Sequence, residues 1–202
     1  MTCRHIIDVC CILSVFLTSC ATLPPTHQDN ICDIFYEKSG WFDDAEDTEK
    51  KWGVPIPVLM SFIYQESRFK QGAQPVRKWY LGFIPGPRAS SAYGYAQAKD
   101  PVWNEYRAST GNSWASRSDF EDAVDFIGWY IYGSHQQLKI KTSDAKRQYL
   151  AYHEGRGGYS RGSFQSKKWL IGVANKVANR SATYTKQLKT CRSDLEGWWP
   201  FW

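Results

Sequence analysis

The segment from Trp52 to Gln71 limits what this chain can fold into, because it describes an apolar helix that ends on a single carboxylic acid. Its two prolines suit the start of a helix, where φ already matches proline and the missing N–H needs no partner. Apolar residues then recur at three- and four-residue spacing and predict a core-facing stripe. They are Val58, Leu59, Phe62 and Ile63. Helical geometry brings Glu66 to the edge of that stripe.

Glu66 is therefore a candidate general acid. Partial burial beside Phe62 and Phe69 would raise its pKa, because burial disfavours the charged form of a carboxyl. A carboxyl that is still protonated near neutral pH can donate its proton to a leaving group. The alternative is a solvated residue in the last turn of a core helix, since most glutamates are exposed. The helix by itself leaves both interpretations open.

Three short motifs in chain order favour the catalytic interpretation. ESRF at residues 66–69 comes first, SAYGYAQ at residues 91–97 second, and AYHEG at residues 151–155 third. In this order they resemble the Slt-type lytic transglycosylases of the lysozyme-like superfamily. That family pairs Glu-Ser-x-Phe with a Gly-Leu-Met-Gln turn and an Ala-Tyr-Asn helix end. The resemblance extends over about residues 54–159.

The resemblance implies a mainly α, lysozyme-like domain with at most a small β-hairpin, acting on the glycan strands of peptidoglycan. It implies that Glu66 is the single acid and base, which first protonates the oxygen of the MurNAc-GlcNAc β-1,4 bond. The carboxylate then takes the proton of the muramic acid C6 hydroxyl, which closes a 1,6-anhydro ring. Because the nucleophile belongs to the substrate, no positioned water is needed. Substrate contacts are expected at Ser67, Tyr93, Gly94, Tyr95, Gln97, Tyr152 and His153.

Several of these positions also have structural interpretations. Ser67 could orient the Glu66 carboxyl or form an ordinary local hydrogen bond. Gly94 gives the backbone freedom to pass close to a ligand, and Gln97 either contacts sugar or caps the next helix. By resemblance, Tyr152 lies beside Glu66.

This chain departs from the family pattern at three positions. Tyr95 and Ala96 stand where the family has Leu and Met, and His153 stands where it has Asn. His153 either donates a hydrogen bond to an N-acetyl group or serves as a structural histidine. The four histidines have no metal-ligand spacing, so we expect no metal and no other cofactor.

Two other functions stay open at this point. A lysozyme-type hydrolase of the same fold would need a second carboxylate as base or nucleophile, for which Glu154 and Asp119 are the candidates. A non-catalytic wall-binding lipoprotein would keep the groove and lack the chemistry. The departures at Tyr95, Ala96 and His153 are compatible with that second alternative.

Residues 1–19 are predicted to be a lipoprotein signal peptide. Arg4 supplies the positive charge, and the apolar run at residues 9–17 is too short to span a bilayer. The sequence LTSC that ends on Cys20 resembles a bacterial lipobox, which implies lipid on the Cys20 thiol. The alternative is a plain signal peptide that is cut elsewhere. Resemblance to bacterial lipoproteins implies the periplasmic face of the outer membrane.

The rest of the chain suits one domain. Residues 20–30 are polar and contain proline, as a lipidated tether should, and residues 31–202 are long enough to bury their own core. A formal net charge of +5, with 25 basic and 20 acidic residues intermixed, gives no nucleic-acid-binding stripe. The expected partners are peptidoglycan strands and, through the anchor, a membrane; we expect a monomer.

Two cysteines remain after signal-peptide removal and lipidation of Cys20. In an oxidising compartment, Cys32 and Cys191 are expected to form a disulfide, worth about 5 kcal/mol on the loop-entropy estimate. The alternative is a pair of buried free thiols.

The segment from Lys70 to Ser90 is dense in glycine, proline and aromatic residues, and predicts a long ordered loop with a β-hairpin through residues 79–84. It is either a lid or wall of a glycan groove, or a loop packed by its own aromatics. The aromatic tail at residues 198–202 either docks on the domain or contacts membrane or glycan.

Two later helices carry further aromatic residues. On the helix predicted from Phe120 to Gly133, three aromatics either line a sugar groove or, as is commoner at helical spacing, belong to the core. They are Trp129, Tyr130 and Tyr132. The last helix is predicted over residues 166–189, and its apolar positions, which include Trp169, are expected to close the core.

Overall fold

The structure is a computed structural model that describes residues 22–197. Within that range, the chain forms seven helices and one two-stranded antiparallel hairpin. They are α1 (Ile31–Glu37), α2 (Trp41–Trp52), α3 (Ile56–Ser67), β1 (Arg77–Tyr80), β2 (Ile84–Arg88), α4 (Asp100–Thr110), α5 (Phe120–Leu138), α6 (Ala145–Ser160) and α7 (Lys168–Glu196). This confirms the mainly α class with a small hairpin that the sequence predicts.

Three features predicted from the sequence lie outside the described residues. These are the signal peptide at residues 1–19, Cys20 and the aromatic tail at residues 198–202. Between residues 22 and 197, no helix combines the length and the apolar character that crossing a bilayer requires.

Helix α3 is the centre of the fold. It packs against α7, α5 and α2, so it is buried on more than the single stripe that its spacing predicts. Its N-terminus begins after Pro55, and the Ile56 N–H donates to the Glu49 carboxylate over 2.9 Å. It ends at Ser67 because Arg68 adopts the left-handed conformation, with φ 53°, and donates its N–H to the Tyr64 carbonyl. That break leaves Glu66 in the last turn.

Helix α7 runs past its predicted end at Lys189 to Glu196 and packs against α3 and α6. Near its C-terminus, Cys191 forms a disulfide with Cys32 of α1, with Cα atoms 6.1 Å apart. The disulfide expected from the sequence is therefore present, and the free-thiol alternative is wrong. It joins the first helix of the domain to the last.

Helix α5 continues through the predicted end at Gly133 to Leu138. It packs closely on α2 at Gly128, where a Cβ atom would lie 2.6 Å from side-chain atoms of Thr48 and Trp52. Its N-cap is Asp119, whose carboxylate accepts from the Asp122 N–H. Glycine at position 128 therefore allows α2 and α5 to approach closely.

Helix α6 is interrupted by Gly155, with φ 73° and ψ 153°, a conformation that is essentially restricted to glycine. The first helical segment, which carries the third motif, ends at Gly155. A further short helical stretch then reaches Ser160. The interruption places His153 and Glu154 at a helix end that opens onto a cavity.

Candidate active site

Glu66 lines a cavity of about 420 Å³. The cavity is formed by the ends of α3 and α6, the turn before α4, and one face of α5. The lining residues are Glu66, Ala92, Gln97, Ala98, Lys99, Val102, Phe126, Tyr130, Tyr152, His153, Glu154 and Gly155. This lining brings Glu66 together with residues of the second and third motifs. It also places two carboxylates, Glu66 and Glu154, in one cleft with aromatic and small apolar residues.

Burial raises the pKa of Glu66 from its usual 4.5 to about 7, and the nearby Tyr149 hydroxyl lowers it by a smaller amount. The carboxyl is partly buried, in the last turn of a helix whose neighbouring residues Phe62 and Ile63 have no exposed surface. A carboxyl with a pKa of about 7 is protonated in a large fraction of molecules at neutral pH, as proton donation requires. This partly buried carboxyl fits the candidate general acid better than a fully solvated residue of the last turn.

Tyr152 lies near Glu66, as the resemblance implies, since the charge of Glu66 contributes to the raised pKa of the Tyr152 hydroxyl after the larger effect of burial. Its hydroxyl, however, donates to the Ala96 carbonyl over 2.5 Å and so ties α6 to the second motif. Tyr149 is the tyrosine that acts directly on the pKa of Glu66. Sequence analysis did not single it out as a site residue, although its spacing of three from Tyr152 puts both on one helical face.

Two residues of the second motif have structural roles, and neither lines the cavity that holds Glu66. Tyr95 is 1% exposed and packs edge-on against Trp41 and Phe120, away from the cavity. Gly94 does need its conformational freedom, with φ 76°, but the close neighbour is the chain itself. A Cβ atom at Gly94 would lie 1.9 Å from the carbonyl oxygen of Arg117. Tyr95 and Gly94 therefore stabilise the conformation of the turn through its internal packing.

Arg117 holds this turn in place and was missed by sequence analysis. Its guanidinium donates to the carbonyls of Ser91 and Ala98 and forms an ion pair with Asp100 at 2.7 Å. Its own carbonyl accepts from the Tyr95 N–H. No local sequence signal marks Arg117, because its partners lie well before it in the chain.

Gln97 reaches the cavity, but its amide nitrogen is already used. Nε2 donates to the carbonyls of Ala73 and Gly94, at 2.8 and 2.9 Å, which leaves Oε1 as the acceptor that a sugar could meet. Gln97 also has φ 50°, so the backbone of the motif turns sharply at this point. It does not cap α4, which begins after Lys99.

Ser67 and Tyr93 do not line this cavity, so the structure gives their predicted substrate contacts no support, and those contacts stay predictions. The Ser67 hydroxyl is buried and donates to the Ile63 carbonyl one turn earlier, which is the local alternative. Tyr93 pairs with Ala98 in an isolated β-bridge and lines a different cavity with Lys70 and Gln71. The remaining motif residue Phe69 is fully buried.

His153 stands at the rim of the cavity with its imidazole partly exposed. Its Nδ1 lies 3.1 Å from the Glu154 carboxylate, which leaves Nε2 free to meet a ligand. The ring packs edge-on against Trp169, with centroids 5.2 Å apart. Trp169 is 60% exposed, so its predicted place in the core is wrong, and it extends the rim with an aromatic face.

Glu154 is the second carboxylate of the cavity lining, and its oxygens are fully engaged. Lys167 Nζ lies 2.8 Å from both, and the Ser163 hydroxyl also donates to it. These hydrogen bonds lower the pKa of Glu154 to about 2. Asp119 is not in this cavity, since it caps α5 and lines another one.

Of the three aromatics predicted on α5, only Tyr130 lines the cavity. Its hydroxyl donates to the Ala151 carbonyl, and its ring meets that of Tyr152 at 5.0 Å. Trp129 packs under the Arg156 guanidinium, and Tyr132 lies beside Trp52. Tyr130 therefore belongs to the core and also borders the cavity, Trp129 packs against the core, and Tyr132, which is 39% exposed, fits neither interpretation.

A partly buried acid in an aromatic-lined cleft of a mainly α domain defines a class of enzyme that cleaves glycosidic bonds. The family model described as Transglycosylase SLT domain matches residues 8–191, and the chain therefore belongs to that family. It is a peptidoglycan lytic transglycosylase, a lyase that acts on glycan strands. Comparison with curated proteins gives no match.

Proposed function

We propose that Glu66 is the single acid and base of this enzyme, which cleaves the MurNAc-GlcNAc β-1,4 bond and forms 1,6-anhydro-MurNAc. The observation that carries the proposal is the contrast between the two carboxylates of the cleft. Burial raises the pKa of Glu66 to about 7, whereas ion pairing and hydrogen bonds lower the pKa of Glu154 to about 2. Only Glu66 has the affinity for a proton that both steps require.

In the first step, protonated Glu66 donates its proton to the glycosidic oxygen as the bond to the anomeric carbon breaks. In the second step, the carboxylate accepts the proton of the C6 hydroxyl, and that oxygen bonds to the anomeric carbon. The proton balance closes, because the acid is regenerated at the end of the cycle. The tethered hydroxyl supplies the nucleophile at a high effective concentration, so the site has no need to hold a water.

The hydrolase alternative is weaker for a physical reason. A second carboxylate that activates water must be able to accept a proton, and a group with a pKa of about 2 is a poor base. Glu154 also shares both oxygens with Lys167, and moving it toward substrate would break that pair. Asp119 lines a separate cavity and cannot take this role.

We assign substrate recognition to the rim of the cavity at His153 and to the turn of the second motif at Gln97. His153 Nε2 and Gln97 Oε1 are the polar groups that could meet N-acetyl and hydroxyl groups of the sugars. The exposed face of Trp169 offers a platform beside His153 on which a sugar ring can stack. Tyr152 acts indirectly, by holding the turn at Ala96.

The deciding experiment is mass spectrometry of the products that residues 21–202 release from purified sacculi. Wild type should release 1,6-anhydromuropeptides, and Glu66→Gln should lower the rate at least about a thousandfold. Glu154→Gln should keep anhydro products as the outcome, and Asp119→Asn is the matched control outside the cleft. Reducing-end products from wild type, or a Glu154→Gln loss equal to that of Glu66→Gln, would instead support the hydrolase.

We also propose that the chain is a lipoprotein anchored through Cys20 to the outer membrane and facing the periplasm. The lipobox-like sequence and the polar residues 20–30 ahead of the folded domain support this. Mass spectrometry of the N-terminal peptide from membranes should find an acylated Cys20. A Cys20→Ser chain should move to the soluble fraction, and an unmodified mature N-terminus at another residue would refute the anchor.

A further inference from the structure

The hairpin formed by β1 and β2 presents an apolar tip to solvent. Its strands pair with each other and pack little on the helices. Five large apolar side chains on it are between 44% and 81% exposed. They are Trp79, Tyr80, Leu81, Phe83 and Ile84. A contiguous exposed patch of this kind marks an interaction surface in a soluble domain.

The turn itself departs from what a solvent-exposed hairpin would use. The Phe83 N–H bonds to the Tyr80 carbonyl, and both central residues have positive φ, 52° at Leu81 and 79° at Gly82. A turn of this type strongly prefers Asn or Gly at the position that Leu81 occupies, because they tolerate positive φ. Leu81 is therefore both strained and 81% exposed, and the folded domain gains nothing visible from either.

The base of the hairpin carries a second unfavourable arrangement. Arg77 and Arg88 are directly opposite each other across the two strands. Like charges at such positions repel, and among the ion pairs of residues 22–197 neither arginine has an acidic partner. An anionic surface would relieve this repulsion.

We propose that this hairpin inserts its tip into an anionic lipid bilayer. The distance along β1 from Arg77 to Leu81 is about 13 Å at 3.3 Å per residue. A headgroup layer is about 5 to 8 Å thick, so arginines at the phosphates would leave Leu81 within the hydrocarbon boundary. Trp79 and Tyr80 would then lie at the interface depth that these residue types prefer.

The composition of the tip favours lipid over glycan. Trp79, Tyr80 and Phe83 have flat faces on which a sugar ring can stack, but Leu81 and Ile84 have none. Leu81, at the turn, is the most exposed of the five, as insertion into lipid requires. None of the hairpin residues lines the cavity that holds Glu66, so the predicted role as a wall of that groove is not supported by the lining. The proposal is independent of the reaction and of the lipid anchor.

Co-sedimentation with vesicles tests the proposal, using residues 21–202, which retain the whole core and the disulfide. Vesicles of phosphatidylcholine with phosphatidylglycerol are compared with phosphatidylcholine alone. Wild type should prefer the anionic vesicles, and Leu81→Asn should lower its partition onto them about tenfold. Arg77→Gln should lower it about fivefold on anionic vesicles and have no effect on neutral ones.

Two controls separate membrane contact from unfolding and from general stickiness. Leu81→Asn should be at least as stable as wild type in urea, because Asn tolerates positive φ, and should cleave soluble glycan fragments at the wild-type rate. Trp114→Ala removes an aromatic that is 94% exposed on another loop and should leave vesicle binding unchanged. Equal binding of wild type to both vesicle types would overturn the proposal. Unchanged vesicle binding by Leu81→Asn, with weaker retention on sacculi, would show a glycan contact instead.

Discussion

The hydroxyl of Tyr149 opposes burial in setting the proton affinity of Glu66: burial raises the pKa of the carboxyl to about 7, and Tyr149 lowers it. The effect is reciprocal, since the charge of Glu66 raises the pKa of Tyr149, after the larger effect of burial. Tyr149 is 4% exposed and packs edge-on against Phe62 of α3, the helix that carries Glu66. It acts through Glu66 and is a positioning residue.

Tyr149→Phe should move the alkaline limb of the pH–rate profile upward. Removing the hydroxyl takes away the group that favours the carboxylate, so the pKa of Glu66 rises and the acid stays protonated to higher pH. The measurement is kcat/KM against pH on glycan fragments. Tyr152→Phe is the matched control, since Tyr152 donates to Ala96 and should change the rate without moving the limb. An unmoved limb in Tyr149→Phe would contradict this reading of the site.

Glu66→Gln should stabilise the domain at alkaline pH. The pKa of Glu66 is raised from 4.5 to about 7 on folding, so its contribution is fully present below pH 4.5 and is lost as the pH rises to about 7. Removing the ionisable group should raise the free energy of unfolding at pH 8, relative to wild type, by up to about 3 kcal/mol more than at pH 4. Urea unfolding at the two pH values provides the measurement. A difference that does not vary with pH would show that Glu66 is well solvated.

Asp44 must be considered in the same experiment. Burial, followed by neighbouring acids, raises the pKa of Asp44 to about 7 as well, so wild-type stability falls over the same pH range for two reasons. Asp44→Asn should remove part of the pH dependence without affecting product release, because Asp44 lies outside the cleft that holds Glu66. The double variant should have the flattest profile.

Gly94→Ala should destabilise the domain by at least about 2 kcal/mol and greatly reduce activity. The added Cβ would meet the Arg117 carbonyl at 1.9 Å, in addition to the strain of φ 76°. Gly111→Ala isolates the strain, because that glycine has φ 74° and no neighbour within 4 Å of the added atom. Its effect should be about 1 kcal/mol. Equal effects on urea unfolding would mean that the turn relaxes easily around Gly94.

Loss of the disulfide should lower the free energy of unfolding by about 3 to 5 kcal/mol, because the two cysteines are far apart in the chain. The closing residues are Cys32 and Cys191, at a sequence separation of 159. Urea unfolding of residues 21–202 with and without reductant gives the value. A Cys32→Ala, Cys191→Ala double variant should have the same free energy of unfolding as the reduced protein, and reductant should not change it.

Trp169→Ala should raise KM several-fold and leave kcat nearly unchanged, since an exposed platform binds ground state and transition state alike. The residue is on the rim beside His153 and does not touch Glu66 in the cavity lining. Trp114→Ala, at an isolated exposed position, should change neither constant. A fall in kcat alone would place Trp169 in the chemistry.

Local patterns were sufficient to predict the mainly α fold and the disulfide, and to nominate Glu66 as the candidate acid. The proline start, the apolar stripe and Glu66 all belong to one helical segment of the sequence. The disulfide follows from counting the cysteines that remain after signal-peptide removal and lipidation. Trp169 was misplaced because neighbouring residues on a helix point about 100° apart, and Leu170 takes the core position. A helix covered on one side only, such as α7 at this point, buries one of two adjacent apolar residues and exposes the other.

The second motif shows where sequence reasoning stops. Tyr95 is buried by Trp41 and Phe120, which come from segments far before and after it. Arg117 fixes the turn through backbone carbonyls, which carry no residue-type signal. Roles that depend on such distant partners become visible only when the chain is folded.

The placement of α7 has a consequence for how the chain is made. Helix α3 buries its apolar surface against the last helix of the domain, and the disulfide of Cys32 needs a cysteine that follows 159 residues later. During synthesis from the N-terminus, the helix that bears Glu66 exists long before the element that covers it. A truncated chain that stops before Lys168 would display that surface to any chaperone or protease nearby. Glu66 therefore gains the surroundings on which its proton affinity depends only after the chain has been completed.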